Sequence, residues 1–192
     1  MIDMPFAFGA LSNSDDDIYP VTRITTGAVG EPGRRLFILQ AHVGDEPFSW
    51  VVEKDQVRAL GRAIPELLAD VRREFPELGD PLIAATPNLE LSVPFEPIFR
   101  VGSLGVSYDR LHDMVVLTLV DAEALRDDLE QDADAETGQN IHLTRGQAFL
   151  LSQQTERVVA AGRPICPACG EPINDFGHFC LPLQRRAGEY LQ

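Results

Sequence analysis

The feature that most restricts the fold is an order of patterns that the chain runs through twice: three short strand-forming stretches, then one helical stripe. Val21, Ile24 and Val29 mark a first strand, and Gly30-Glu31-Pro32-Gly33 is a strong turn signal. Arg34 to Ala41 is a short apolar run rich in strand formers, and Gly44-Asp45-Glu46-Pro47 turns the chain into Phe48 to Glu53. Three strands joined by short turns predict an antiparallel meander. A helix is expected from near Asp55, because Val57, Leu60, Ile64, Leu67, Leu68 and Val71 recur at helical spacing. Pro65 should kink that helix or split it, and Phe75-Pro76 should end it.

The second pass begins after a connector crowded with prolines. Thr26 to Gly30 aligns with Val101 to Gly105, Leu36 to Leu39 with Val115 to Thr118, and Trp50 to Leu60 with Ile141 to Leu151. Gln56 then falls on Gln147, Val57 on Ala148, Leu60 on Leu151, and more loosely Leu67 on Val158 and Leu68 on Val159. One such unit cannot bury both faces of its sheet, so pairing the two would complete a single core. The predicted class is α+β: two strand-strand-strand-helix repeats, antiparallel sheet packed on helices, and a small zinc-ribbon-like tail. The expected organisation is an acidic lead-in over 1–18, a first repeat over 19–76, and a connector over 77–98. A second repeat over 99–163 carries an acidic loop at 121–139, and the tail occupies 164–192. In that loop Asp132, Asp134 and Glu136 alternate like the start of a calcium loop. The glycine stands at position seven instead of six, and Leu143 stands where a bidentate glutamate belongs, so a solvated loop is the reading.

The tail holds all three cysteines. Cys166-Pro167-Ala168-Cys169-Gly170 is followed by Gly177-His178-Phe179-Cys180, two close pairs of ligands separated by a short loop. That spacing predicts a Cys3His zinc site made of Cys166, Cys169, His178 and Cys180. Four protein ligands leave no place for water or substrate, so the zinc is expected to be structural. A disulfide plus a spare thiol fits less well with an odd number of cysteines and no sign of export. Pro164 to Cys169 also matches half of the zinc-deaminase signature, but the H-x-E half is missing from the sequence.

Composition narrows the partners. The chain has 192 residues and a net charge of -14, which repels phosphate backbones and disfavours a nucleic-acid role. No apolar run reaches membrane-spanning length, and residues 1 to 17 lack the basic flank of a secretory signal. A cytoplasmic protein without membrane association is expected. Gly27, Gly30 and Gly33 do not have dinucleotide-binding spacing and lead into a strand, so they are assigned to tight turns. His42, His112 and His142 are dispersed and read as ordinary strand-end or surface residues. Arg34-Arg35 and Arg185-Arg186 are two of the adjacent arginine pairs in the sequence, able to seat an anion but solvated by default.

The stretch Gly27 to Arg35, with Phe37 and Leu39-Gln40-Ala41 after it, resembles the opening signature of an uncharacterised actinobacterial family, the domain of unknown function 3090. The resemblance continues through Glu53 to Val57, Phe99 to Gly102, Tyr108-Asp109 and Val158 to Pro164, covering nearly the whole chain from about Tyr19. After Cys180 the chain reads Leu181-Pro182-Leu183-Gln184-Arg185, where the family has proline, arginine and then asparagine-glycine. The resemblance implies a repeat protein with no activity, substrate or catalytic residue to carry over. It also implies genes placed near those of a histidine-phosphatase-like and a lipid-kinase-like protein, hence a shared pathway or complex.

The functional expectation is a non-catalytic binding or adaptor protein with a structural zinc ion and an unidentified protein partner, for which an exposed apolar or basic patch on the tail, Leu181 to Gln192, would argue. A single-stranded nucleic-acid binder is the alternative, with Phe37, Phe48, Trp50 and Phe99 as candidate stacking residues, although core packing is the better reading of them. An enzyme with a pocket between the repeats is the second alternative. It would require Glu53, Lys54, Tyr108 and Asp109 to converge. An exposed sheet edge would offer a dimer contact.

Overall fold

A computed structural model describes residues 17–30, 34–83, 88–128, 138–161, 166–169 and 180. The chain is α+β, and its described residues form a six-stranded mixed sheet and three helices. Strands β1 (Arg23–Val29), β2 (Leu36–Val43) and β3 (Glu46–Val52) form the expected meander, and α1 (Lys54–Glu74) follows. A single 3-10 turn at Pro76–Leu78 opens the connector. Then come β4 (Pro97–Asp109), β5 (Met114–Asp121), the short α2 (Ala124–Asp128), β6 (Gly138–Thr144) and α3 (Arg145–Ala160). The acidic segment is therefore not loop throughout: Asp121 ends a strand, Gly138 begins one, and α2 lies between them. Asp132, Asp134 and Glu136 lie outside the described residues.

The sheet runs in chain order from β1 to β6. It is mixed, not wholly antiparallel. β3 and β4 are parallel because α1 carries the chain back across the sheet before β4 starts. The far edge is also occupied. Ile18 forms a parallel bridge with Ile141, its N–H donating to the Asn140 carbonyl at 2.7 Å and its carbonyl accepting from the His142 N–H at 3.3 Å. Ile18 leads through Val21 into β1, so the lead-in to the first strand meets the last strand at Ile141. That bridge pairs the β6 edge at one residue, while β1 and β6 remain the edge strands of the sheet.

One core cluster spans both halves, with Leu39, Trp50 and Val52 beside Tyr108, Leu117 and Ile141. Pro65 does not split α1, which runs unbroken through it. A proline inside a helix costs about 3 kcal/mol. Burying Val57, Leu60 and Ile64 before it and Leu67 and Val71 after it returns about 1.5–3 kcal/mol each, so packing wins. The helices cross where Gly61 of α1 faces Thr155 of α3, too close for a side chain at position 61.

The connector is not a loose edge. The Thr25 hydroxyl donates to the Leu89 carbonyl, and Gln40 exchanges hydrogen bonds with the Ser92 backbone, so residues 88–92 lie over the outer face of β1 and β2. Gly27 belongs to this packing and not to a turn: it lies inside β1, where Leu91 occupies the space a side chain would take.

Ladder partners correct the residue correspondences. Leu39 pairs with Trp50, while Leu117 pairs with Ile141. If Trp50 is placed on Ile141, Leu39 falls on Leu117, not on Thr118. Thr26 pairs with Leu39 and Val106 with Leu117, so Thr26 falls on Val106, not on Val101. The glycine match misled because β4, at 13 residues, is nearly twice as long as β1, at 7, and its turn into β5 is shorter.

Candidate metal centre

A tight turn over 167–169 follows the buried Cys166 and brings Cys169 back toward it. The sulfurs of Cys166, Cys169 and Cys180 all lie within 4.8 Å of one another. Cys166 Sγ and Cys180 Sγ are 3.8 Å apart, and none of the three cysteines is in a disulfide. A disulfide would need a separation of about 2.05 Å. The Cys166 thiol is held below its ordinary range, first by a hydrogen bond from the backbone of Ala168 and then by one from the backbone of Cys169, against the opposing effect of burial. N–H groups aimed at sulfur favour the thiolate, the form that binds metals. Three close cysteines with one depressed thiol can hold a metal ion. His178, the fourth predicted ligand, lies outside the described residues, as do Gly170 and Gly177.

The other singled-out residues are distributed differently. Glu53 pairs with Arg100 at the start of α1, and Lys54 is beside them. Tyr108 and Asp109 lie eight and nine residues further along β4, roughly 25 Å away at about 3.3 Å per residue. These four do not converge. The Tyr108 hydroxyl, buried, donates to Asp113, and burial followed by that carboxylate pushes its pKa well above the usual phenol range. Asp109 is also buried; it accepts from the Leu111 N–H and pairs with the exposed His112.

Two histidines are not on the surface, although His42 stands one residue from the end of β2. His42 and His142 are buried within β2 and β6. His42 meets Arg23, Gln40 and Ser92, and His142 faces Asp17 and the edge of Tyr19. Of the aromatic candidates, Trp50 and Phe37 are core residues, while Phe48 and Phe99 pack against the core half-buried, as the packing reading anticipated. The sequence reading missed Asp113 and Arg145, which form a two-point ion pair at 2.8 and 3.2 Å. It could not see Arg35, Lys54 and Arg100 as neighbours either, because that depends on β3 pairing with β4.

No helix among the described residues is long and apolar enough to cross a membrane. No curated protein and no solved structure matches the chain. Over residues 17–180 it matches the family model described as "Protein of unknown function (DUF3090)", and the chain belongs to that family.

Proposed function

We propose that this DUF3090 protein is a non-catalytic binding or adaptor protein whose C-terminal end is held by a structural zinc ion on Cys166, Cys169, His178 and Cys180. The observation that carries the reading is the sulfur geometry. Two thiolates bound to one tetrahedral zinc at about 2.3 Å lie about 3.8 Å apart, and Cys166 and Cys180 have that separation of 3.8 Å. Zinc would neutralise thiolates that otherwise repel one another, and it would tie the segment after α3 to itself. A closed shell of four protein ligands supplies no chemistry to a substrate. The dispersal of Glu53, Lys54, Tyr108 and Asp109 supports a binding role over the pocket-enzyme alternative. The burial of Trp50 and Phe37 supports it over single-strand stacking. The order of three strands and a closing helix, met twice along the chain, supports descent from a duplicated unit, and a cytoplasmic location is part of the same proposal.

The test is metal content by elemental analysis of protein purified without added zinc, beside Cys166→Ser/Cys169→Ser. About one zinc per chain, lost in the variant together with thermal stability, is expected. Absence of metal, or loss of metal that leaves stability untouched, would contradict the structural role.

A further inference from the structure

A cavity of about 340 Å³ opens where β2, β3, β4 and the first turn of α1 meet. Arg35, Lys54 and Arg100 line it, with Glu53 as the one carboxylate among the described residues and Leu36 and Phe37 as apolar wall. On a chain of net charge -14 this is a pocket with two surplus positive charges. Glu53 is already paired with Arg100. Neither Arg35 nor Lys54 forms an ion pair among the described residues. Arg35 Nε is buried and has no hydrogen-bond partner among them.

The second half of the chain shows what this place requires. Phe37 pairs with Val52, and Val115 pairs with Leu143, so Arg35 stands two steps beyond the first pair opposite Lys54, as Asp113 stands opposite Arg145. At the second position the cation is met from within the chain: Asp113 takes Arg145 through both carboxylate oxygens. At the first position the residue equivalent to that carboxylate is Arg35, a second cation. The counter-charge that Asp113 supplies in one half is not supplied by the described residues of the other.

We infer that the cavity of Arg35, Lys54 and Arg100 binds the phosphoryl group of a small molecule. A doubly charged phosphate matches the surplus charge. The arginine fork can present two parallel donors to its oxygens, which a lysine cannot. The volume lies at the lower end of the range for small-ligand sites, and Leu36 and Phe37 give an apolar substituent a surface to rest on. Free phosphate and a phosphate monoester share this chemistry.

The experiment is titration of the full-length protein with inorganic phosphate and with a simple alkyl phosphate, read by NMR shifts and thermal stability at constant ionic strength. Four forms are compared: the wild type, Arg35→Gln, Arg35→Asp and Arg34→Gln. Arg34→Gln removes the same charge from a residue that does not line the cavity. Saturable binding is expected in the wild type and in Arg34→Gln, weakened at least tenfold in Arg35→Gln. In Arg35→Asp, which places a carboxylate opposite Lys54, binding should vanish while stability without phosphate is kept or raised. Tighter binding of the alkyl phosphate assigns the apolar wall to the site, and equal binding assigns free phosphate. No saturable response in the wild type, an equal response in Arg35→Gln, or a single-stranded oligonucleotide binding more tightly than either probe would overturn the assignment.

Discussion

His42 faces the Arg23 guanidinium through Nε2, and a guanidinium can only donate, so the imidazole there is a neutral acceptor. Burial first and Arg23 second lower its pKa from the ordinary 6.5. Above about pH 6.5 the ring is neutral in both folded and unfolded chains, and stability does not depend on it. As pH falls below that value the unfolded chain takes up the proton first, so stability is lost until the folded pKa is passed. Urea unfolding at about pH 7.5 and 5.5 should show a larger loss in the wild type than in His42→Gln, by the linkage argument. An equal loss would contradict the lowering of the ring's pKa by burial and Arg23. Little of this was legible at the residue scale. A lone histidine in an apolar run shows no partner, and Arg23 and Ser92 reach it only through strand pairing and the returning connector.

Elements were the most legible level. The stripe of α1 was read correctly at Val57, Leu60, Ile64, Leu67 and Val71, all buried, because helical periodicity depends on nothing distant. Helix starts were legible too. Gln56 and Gln147 each accept from the backbone N–H three residues back, at 2.8 Å in both helices, and they had been matched from sequence alone. Register was not legible, because it depends on turn lengths, and one residue of slip moves every side chain to the other face. The contact between α1 and α3 gives the prediction at this scale. Gly61→Ala should improve helix propensity by about 1 kcal/mol, yet it drives a methyl group into Thr155, an overpacking cost of about 1–3 kcal/mol. The net expectation is a lower melting temperature, and an unchanged or higher one would show that the helices can separate freely.

At the scale of the whole molecule, two matched seams join the halves. Gln56 of α1 donates to the carbonyl of Val101 at the start of the second half, at 3.0 Å. Gln147 of α3 donates to the carbonyl of Val21 at the start of the first, at 2.7 Å. Counted back from the match of Thr26 with Val106, Val101 falls on Val21, and the β-bulge after Val101 moves its ladder partner one residue on, so each helix clasps the start of the opposite half at a neighbouring position. Replacing either glutamine by alanine removes a capping contact and a seam contact together. Each variant should cost about 1–3 kcal/mol by the usual values for caps and buried hydrogen bonds. Denaturant titration of Gln56→Ala and Gln147→Ala checks this, and a cost confined to one of them would argue against equivalent seams. The bridge from Ile18 to β6 was invisible in the sequence, where residues 1–18 read as an acidic lead-in.

The central claim is that three sulfurs and one imidazole surround a single zinc ion, and zinc X-ray absorption on protein purified without added metal tests it most directly. Three sulfur neighbours at about 2.3 Å and one nitrogen at about 2.0 Å are expected, with the nitrogen lost in His178→Ala. A sulfur count other than three, an oxygen-rich open shell, or a spectrum unchanged in His178→Ala would contradict it.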